Sequence, residues 1–140
     1  THKTKEYFKS LPVELNFFAQ DKKILLFHAA PHKNNLYWYE DRPERFFMEM
    51  ARKTDASILI YGHTHKPYRK DLVNRIFINA GSVGKPKDGD PRTCVALLEV
   101  TSDRVKTEFL RIEYDIEKTA SAIMEQGLPP YFAEKLRQGR

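Results

Sequence analysis

The hexapeptide Gly62-His63-Thr64-His65-Lys66-Pro67 carries two imidazoles one residue apart, directly behind the apolar run Ser57-Ile58-Leu59-Ile60-Tyr61. Neutral imidazole is the commonest nitrogen ligand of divalent cations. A glycine at the end of an apolar strand admits a sharp turn, so both rings can be presented at a sheet edge. A second apolar run, Lys23-Ile24-Leu25-Leu26-Phe27, also ends in a histidine, His28, followed by Ala29-Ala30-Pro31. Ligands of α/β sheets bind beyond the carboxyl ends of the strands, so the repetition predicts one shared site for His28, His63 and His65. A third run, Arg75-Ile76-Phe77-Ile78, enters Asn79-Ala80-Gly81-Ser82-Val83-Gly84, whose small residues allow backbone amides to approach an anion. The chemistry that these residue types suggest is metal binding beside an oxyanion.

Taken in order, His28 near a proline, then Gly62-His63-Thr64-His65, then Asn79-Ala80-Gly81-Ser82-Val83-Gly84 with Pro86, the chain resembles the carboxyl-terminal half of the calcineurin-like metallophosphoesterase family. The likeness is greatest to its small bacterial and archaeal phosphodiesterase branch. Lys87-Asp88-Gly89-Asp90-Pro91-Arg92 and the tail from Ile116 to Arg140, with Gly127-Leu128-Pro129, fit that branch as well. The resemblance implies a metal-dependent phosphoesterase, either phosphodiesterase or phosphatase, acting through a dinuclear metal site and a metal-activated hydroxide. It implies that His28 and His63 bind one ion and His65 the other. Manganese, iron, zinc and nickel all accept imidazole, so the two divalent ions are not specified further. Asn79, Ser82 and Arg92 are candidates for shaping the pocket of a phosphate-ester substrate. The alternative is a non-catalytic scaffold, since the retromer complex uses a subunit of this fold as a protein-binding surface.

Enzymes of the family also carry, further upstream, an Asp-x-His element, a Gly-Asp element whose aspartate bridges the metals, and a Gly-Asn element beside a catalytic acid. None precedes His28, and the only Gly-Asp, Gly89-Asp90, follows the histidine pair. Two cations about 3.5–4 Å apart repel each other, and a bridging carboxylate makes the pair tolerable. Three imidazoles bring no negative charge. Residues 1–140 are therefore expected to form the carboxyl-terminal portion of a single metallophosphoesterase domain, inactive and weak in metal binding by themselves. The expected partner is the missing amino-terminal half of the same domain, with homo-oligomerisation as the other way to cover an exposed sheet.

These residues must be positioned by regular elements. Thr1 to Leu11 has helical periodicity and Pro12 ends it. Val13 to Ala19 and Lys23 to His28 read as strands joined by Gln20-Asp21-Lys22. The aromatic segment from Asn34 to Tyr39 either packs against the neighbouring helix or shelters the mouth of a substrate pocket. Arg42 to Thr54 reads as a helix with Pro43 in its first turn and Phe46, Phe47 and Met50 facing inward. Further strands are predicted at Ser57 to Tyr61, Arg75 to Ile78, Thr93 to Val100 and Val105 to Ile112, the last two around the turn Thr101-Ser102-Asp103. A helix from Ile116 to Gln126 ends at Gly127. The mixture predicts an α+β fold with much antiparallel pairing. The resemblance implies part of a two-sheet αββα sandwich, mainly its second sheet and covering helices.

Composition sets the outer bounds. A chain of 140 residues, 41% hydrophobic, suffices for one core. Its net charge of +5 comes from 24 basic residues scattered among 19 acidic ones, a solvated surface rather than a nucleic-acid-binding stripe. Lys66, Arg69, Lys70, Lys85, Lys87 and Arg92 lie near the site motifs in sequence and would attract a phosphorylated substrate. No apolar run long enough to span a bilayer and no leader is evident, so no membrane association and a cytoplasmic location are expected. The single cysteine, Cys94, sits in a predicted strand as an inert core thiol suited to a reducing compartment.

Overall fold

The computed structural model describes residues 2–31, 33 and 35–140. Thr1 and Asn34, the first residues of two predicted segments, lie outside the described residues. Three apolar runs form its centre: β2 (Lys22–Phe27), β3 (Ile58–Tyr61) and β5 (Arg75–Asn79) lie side by side and parallel. β1 (Glu14–Ala19) pairs antiparallel with β2, and β4 (Tyr68–Leu72) antiparallel with β5, giving the order β1-β2-β3-β5-β4. The register sets Leu25, Leu59 and Phe77 in one row and Ile24, Ile58 and Ile76 in the next. Strands covered on both faces need apolar residues at consecutive positions, which is why these runs do not alternate.

One face of the sheet packs on α2 (Glu44–Ala51) and on Trp38. Leu25, Phe27, Leu59, Tyr61 and Phe77 share a core there with Phe47 and Ala51. On the other face lies the antiparallel pair β6 (Thr93–Val100) and β7 (Val105–Ile112), a second sheet whose Ala96, Leu98, Val105 and Phe109 pack on Ile24, Ile58 and Ile78. The outward side of that pair leaves Val95, Leu97, Leu110 and Ile112 exposed. The two-sheet α+β arrangement agrees with expectation, but the centre is parallel, and antiparallel pairing is confined to β1, β4 and the β6–β7 hairpin. The five-stranded sheet, not the hairpin, is the larger component.

Two elements were not foreseen. β4 reads Tyr-Arg-Lys-Asp-Leu, too polar for a strand signal, yet it needs only Tyr68 and Leu72 buried, because an edge strand keeps its other side in water. A terminal helix, α4 (Tyr131–Gln138), follows Pro129 and Pro130 and packs on α3 (Ile116–Glu125). Asp115 caps α3 by accepting from the Lys118 N–H at 2.9 Å. Helix α1 (His2–Ser10) buries none of its residues. Among the described residues no helix is long and apolar enough to cross a membrane.

Candidate metal centre

Parallel strands release their chains at the same edge. After β2 comes His28, after β3 come Gly62, His63 and His65, and after β5 come Gly81 and Ser82. The segments are tied together by backbone: the Gly62 N–H donates to the His28 carbonyl at 3.0 Å and the Ala80 N–H to the Tyr61 carbonyl at 2.8 Å. His28, His63, His65, Gly81, Ser82 and Cys94 line one cleft of about 410 Å³. The ends of the three strands therefore open on one cleft.

The turn that carries the histidines is held from below by Asn79 and Thr64, both buried. The Asn79 amide donates to the Gly62 carbonyl at 2.8 Å and to Thr64 Oγ1 at 2.9 Å, while its Oδ1 accepts from the Gly81 N–H at 3.0 Å. One side chain thus fastens the loop after β3 to the loop after β5. With Thr64 turned inward, its neighbours turn outward, and both adopt left-handed backbone, φ 65° at His63 and 61° at His65. Such conformations are costly for residues with a side chain and persist where surrounding contacts impose them. Gly81, at φ 78°, is fixed differently: a Cβ there would stand 3.1 Å from Cys94 Sγ and 3.2 Å from Pro67 Cβ.

His63 Nδ1 lies 3.1 Å from His28 Nε2, with the rings edge to face and centroids 5.0 Å apart. His65 donates from Nδ1 to the Lys85 carbonyl at 2.6 Å, since a carbonyl can only accept. That bond fixes the tautomer and leaves Nε2 as a lone pair, the usual way a backbone acceptor orients a metal-binding imidazole. The pKa of His63 is lowered by burial first, then by the charges of His28, His65 and Lys87. His65 is also lowered, mainly by burial, with the Lys85 carbonyl opposing and Lys87 and Lys85 reinforcing. Lowered imidazoles stay neutral near pH 7, the form that ligates.

The donors fit a divalent cation. Two nitrogens each about 2.1 Å from one ion stand near the separation found between His63 and His28. His63 Nε2, the ring nitrogen that faces away from His28, is buried without a hydrogen-bond partner. Among the described residues no three of His, Cys, Asp and Glu close around a single point, and no carboxylate lines the cleft. His65 therefore stands apart from the His28–His63 pair rather than completing it.

The other candidates divide. Ser82 reaches the cleft, its Oγ accepting from the Lys85 N–H at 2.9 Å. Asn79 does not face it, because its amide is consumed in the clamp. Arg92 is held by Asp90, with Nε donating to Oδ1 at 3.0 Å, and does not line the cleft. Among the nearby cations, Lys85 and Lys87 act on the histidines. Arg69 pairs with Asp71 at 2.9 Å and Lys70 donates to the Glu40 carbonyl at 2.7 Å. Burial raises the Cys94 thiol, in keeping with an inert core residue. Both readings of the aromatic segment find a residue: Trp38 packs in the core, while Tyr37 lies at the cleft, its ring 4.3 Å from that of His63.

Comparison with known proteins bears on the fold and the family. MJ0912, an uncharacterized protein of Methanocaldococcus jannaschii, is 26% identical over 152 residues, which cover 96% of this chain and 59% of that one. A metallophosphoesterase from Sphaerobacter thermophilus superposes with a TM-score of 0.78 at 29% identity, covering 100% of this chain and 62% of that one. The hypothetical protein PH1004 from Pyrococcus horikoshii shares the fold at a TM-score of 0.85 and 21% identity, over 99% of this chain and 55% of that one. The chain spans less than two thirds of the length of each. The calcineurin-like phosphoesterase superfamily domain matches residues 1–103, and the chain belongs to that superfamily.

Proposed function

We propose that this chain provides the histidine side of the centre of a metal-dependent phosphoesterase. The observation that carries the reading is the meeting of His28, His63 and His65 in one cleft at the ends of parallel strands. His28 Nε2 and His63 Nδ1 would hold one divalent ion, manganese, iron, zinc or nickel, and His65 Nε2 a second. Bound there, such ions supply Lewis-acid stabilisation of phosphoryl oxygens and acidify water. The protein's own contribution is positional. Asn79 locks the histidine turn, the Lys85 carbonyl sets the His65 tautomer, and Ser82 with Lys85 and Lys87 borders the place of the phosphate.

Three neutral imidazoles leave a dinuclear pair without a bridging carboxylate. That carboxylate is proposed to come from chain beyond residues 1–140, the carboxyl-terminal portion of one domain in this reading, and the greater length of the relatives leaves room for it. The experiment uses the protein expressed from its complete reading frame, stripped of metal and assayed on bis(p-nitrophenyl) phosphate as manganese is restored. Turnover should appear only with metal, and His63→Ala should lose most of both turnover and calorimetric manganese uptake while circular dichroism stays native. Unchanged turnover after rigorous chelation would overturn the reading. Absence of both metal uptake and turnover in the native protein would leave the scaffold role in its place.

A further inference from the structure

The carbonyl that holds His65 belongs to Lys85, in a segment, residues 80–92, that forms neither strand nor helix. No ladder fixes that segment, so its position rests on individual contacts. On its inner side it grips His65 twice: the Lys85 carbonyl accepts from His65 Nδ1 at 2.6 Å, and the Lys87 N–H donates to the His65 carbonyl at 3.1 Å. The Lys85 N–H is held in turn by Ser82 Oγ at 2.9 Å. On its outer side the segment meets the tail and the chain that leads into it. The Lys85 ammonium stands 5.4 Å from the centroid of the Phe132 ring, Tyr114 Oη donates to the Gly84 carbonyl at 3.5 Å, and the Gly89 N–H donates to the Gly139 carbonyl at 3.0 Å.

Among these outer contacts Phe132 has no other evident task. Helix α4 is seated by Ala133 and Leu136, both buried, and by Arg137, whose guanidinium donates to both carboxylate oxygens of Glu117 on α3 at 2.7 and 2.8 Å. Phe132 lies beside that stripe and is half-buried, its ring against Tyr131 at 4.1 Å. The ring borders a cavity of about 410 Å³, shared with Ile123, Leu128 and Lys85, rather than a filled core. Packing between the helices therefore does not account for it, whereas a cation over an aromatic face is attracted at this range. Both helices lie beyond residues 1–103, so the contact reaches the site from outside the matched superfamily domain.

We propose that Phe132 is a positioning residue for the metal centre: it anchors Lys85 from the tail and so holds the carbonyl that keeps the His65 proton on Nδ1 and its lone pair on Nε2. Without the anchor the segment shifts, the carbonyl leaves His65, and the proton exchanges between the two ring nitrogens, so that part of the population turns an N–H toward the ion. The effect on the tautomer stands on the geometry alone; its effect on metal rests on the phosphoesterase reading. The test uses the metal-free protein from its complete reading frame at about pH 8, where imidazole is neutral, and reads by proton–nitrogen NMR which nitrogen of each histidine carries the proton, with His65→Gln to assign the signal. Native His65 should be protonated on Nδ1. Phe132→Ala should raise its Nε2–H share several-fold while His28 and His63 keep their signals, and Phe132→Tyr, which preserves the aromatic face, should match the native protein. Lys85→Met keeps the carbonyl but loses the cation, so it should shift His65 in the same direction, and it decides the matter if Phe132→Ala does not fold. An unchanged His65 in the folded variants, an equal change at all three histidines, or the same shift in Phe132→Tyr overturns the inference. Calorimetric titration with manganese should show affinity about tenfold weaker in Phe132→Ala. A displaced tautomer with unaltered manganese affinity would leave Phe132 its positioning role and overturn the assignment of an ion to His65.

Discussion

At the scale of single residues, the side chains that build the site matter as much as those that face it. Asn79 is fully buried and joins Gly62, Thr64 and Gly81. Asn79→Ala leaves those groups unpaired, so unfolding in urea should show a loss of about 2–4 kcal/mol, with weaker metal uptake as the loop after β3 loosens. His63 and His65 hold left-handed backbone, which alanine tolerates poorly and glycine readily. His63→Gly should therefore be more stable than His63→Ala by about 1 kcal/mol in denaturant titrations, although neither retains the ring. Asp90 is pulled down to about 2, first by the hydrogen bonds from Arg92. Its folded value lies below the unfolded one, so its contribution to stability is complete above about pH 4 and fades as the pH falls toward 2. Thermal midpoints of the native chain and Asp90→Asn should differ by a constant amount from pH 7 to about pH 4 and converge below it.

At the scale of elements, the ease of reading followed burial. β2, β3 and β5 are buried on both sides and announce themselves as apolar runs, and their histidines could be read because a strand end fixes where the next residue lies. β4 and α4 are bound mainly by backbone pairing and by a thin apolar stripe, so composition hid them. The predicted helix from Arg42 to Thr54 contracts to Glu44–Ala51, with Pro43 as its N-cap and a turn at Arg52 and Lys53 leading toward β3. Asn79 and Arg92 have residue types that suit phosphate binding, but both lie outside the lining of the cleft and are already held: Asn79 by Gly62 and Thr64 from another part of the chain, Arg92 by its near neighbour Asp90. Gly139 tests how the last element is seated. A Cβ there would lie 2.7 Å from the backbone carbon of Asp90, and the backbone at φ 63° disfavours any side chain. Gly139→Ala should lower stability by about 1–3 kcal/mol and increase hydrogen exchange in α4 before it affects β3.

At the scale of the whole molecule, apolar surface remains in water. Val95, Leu97, Leu110 and Ile112 share the outward side of the β6–β7 pair, and α1 exposes Tyr7 and Phe8. A contiguous apolar face of that kind marks an interaction surface. Sedimentation of residues 1–140 should show association that grows with concentration, and the pair Leu97→Ser with Ile112→Ser should reduce it. The parallel centre has a further consequence, for folding. His28 and His63 meet across 35 positions of sequence, and the Gly81 loop joins them only after β5 has docked. No local stretch of the unfolded chain brings His28, His63 and the Gly81 loop together, so a ligand that needs all three prefers the folded state, even though the neighbouring His63 and His65 can hold a metal ion weakly in the unfolded chain. Saturating the cleft would raise the free energy of unfolding of the whole sheet by mass action, and protection against exchange would spread through β2, β3 and β5 together, far beyond the residues that touch the ligand.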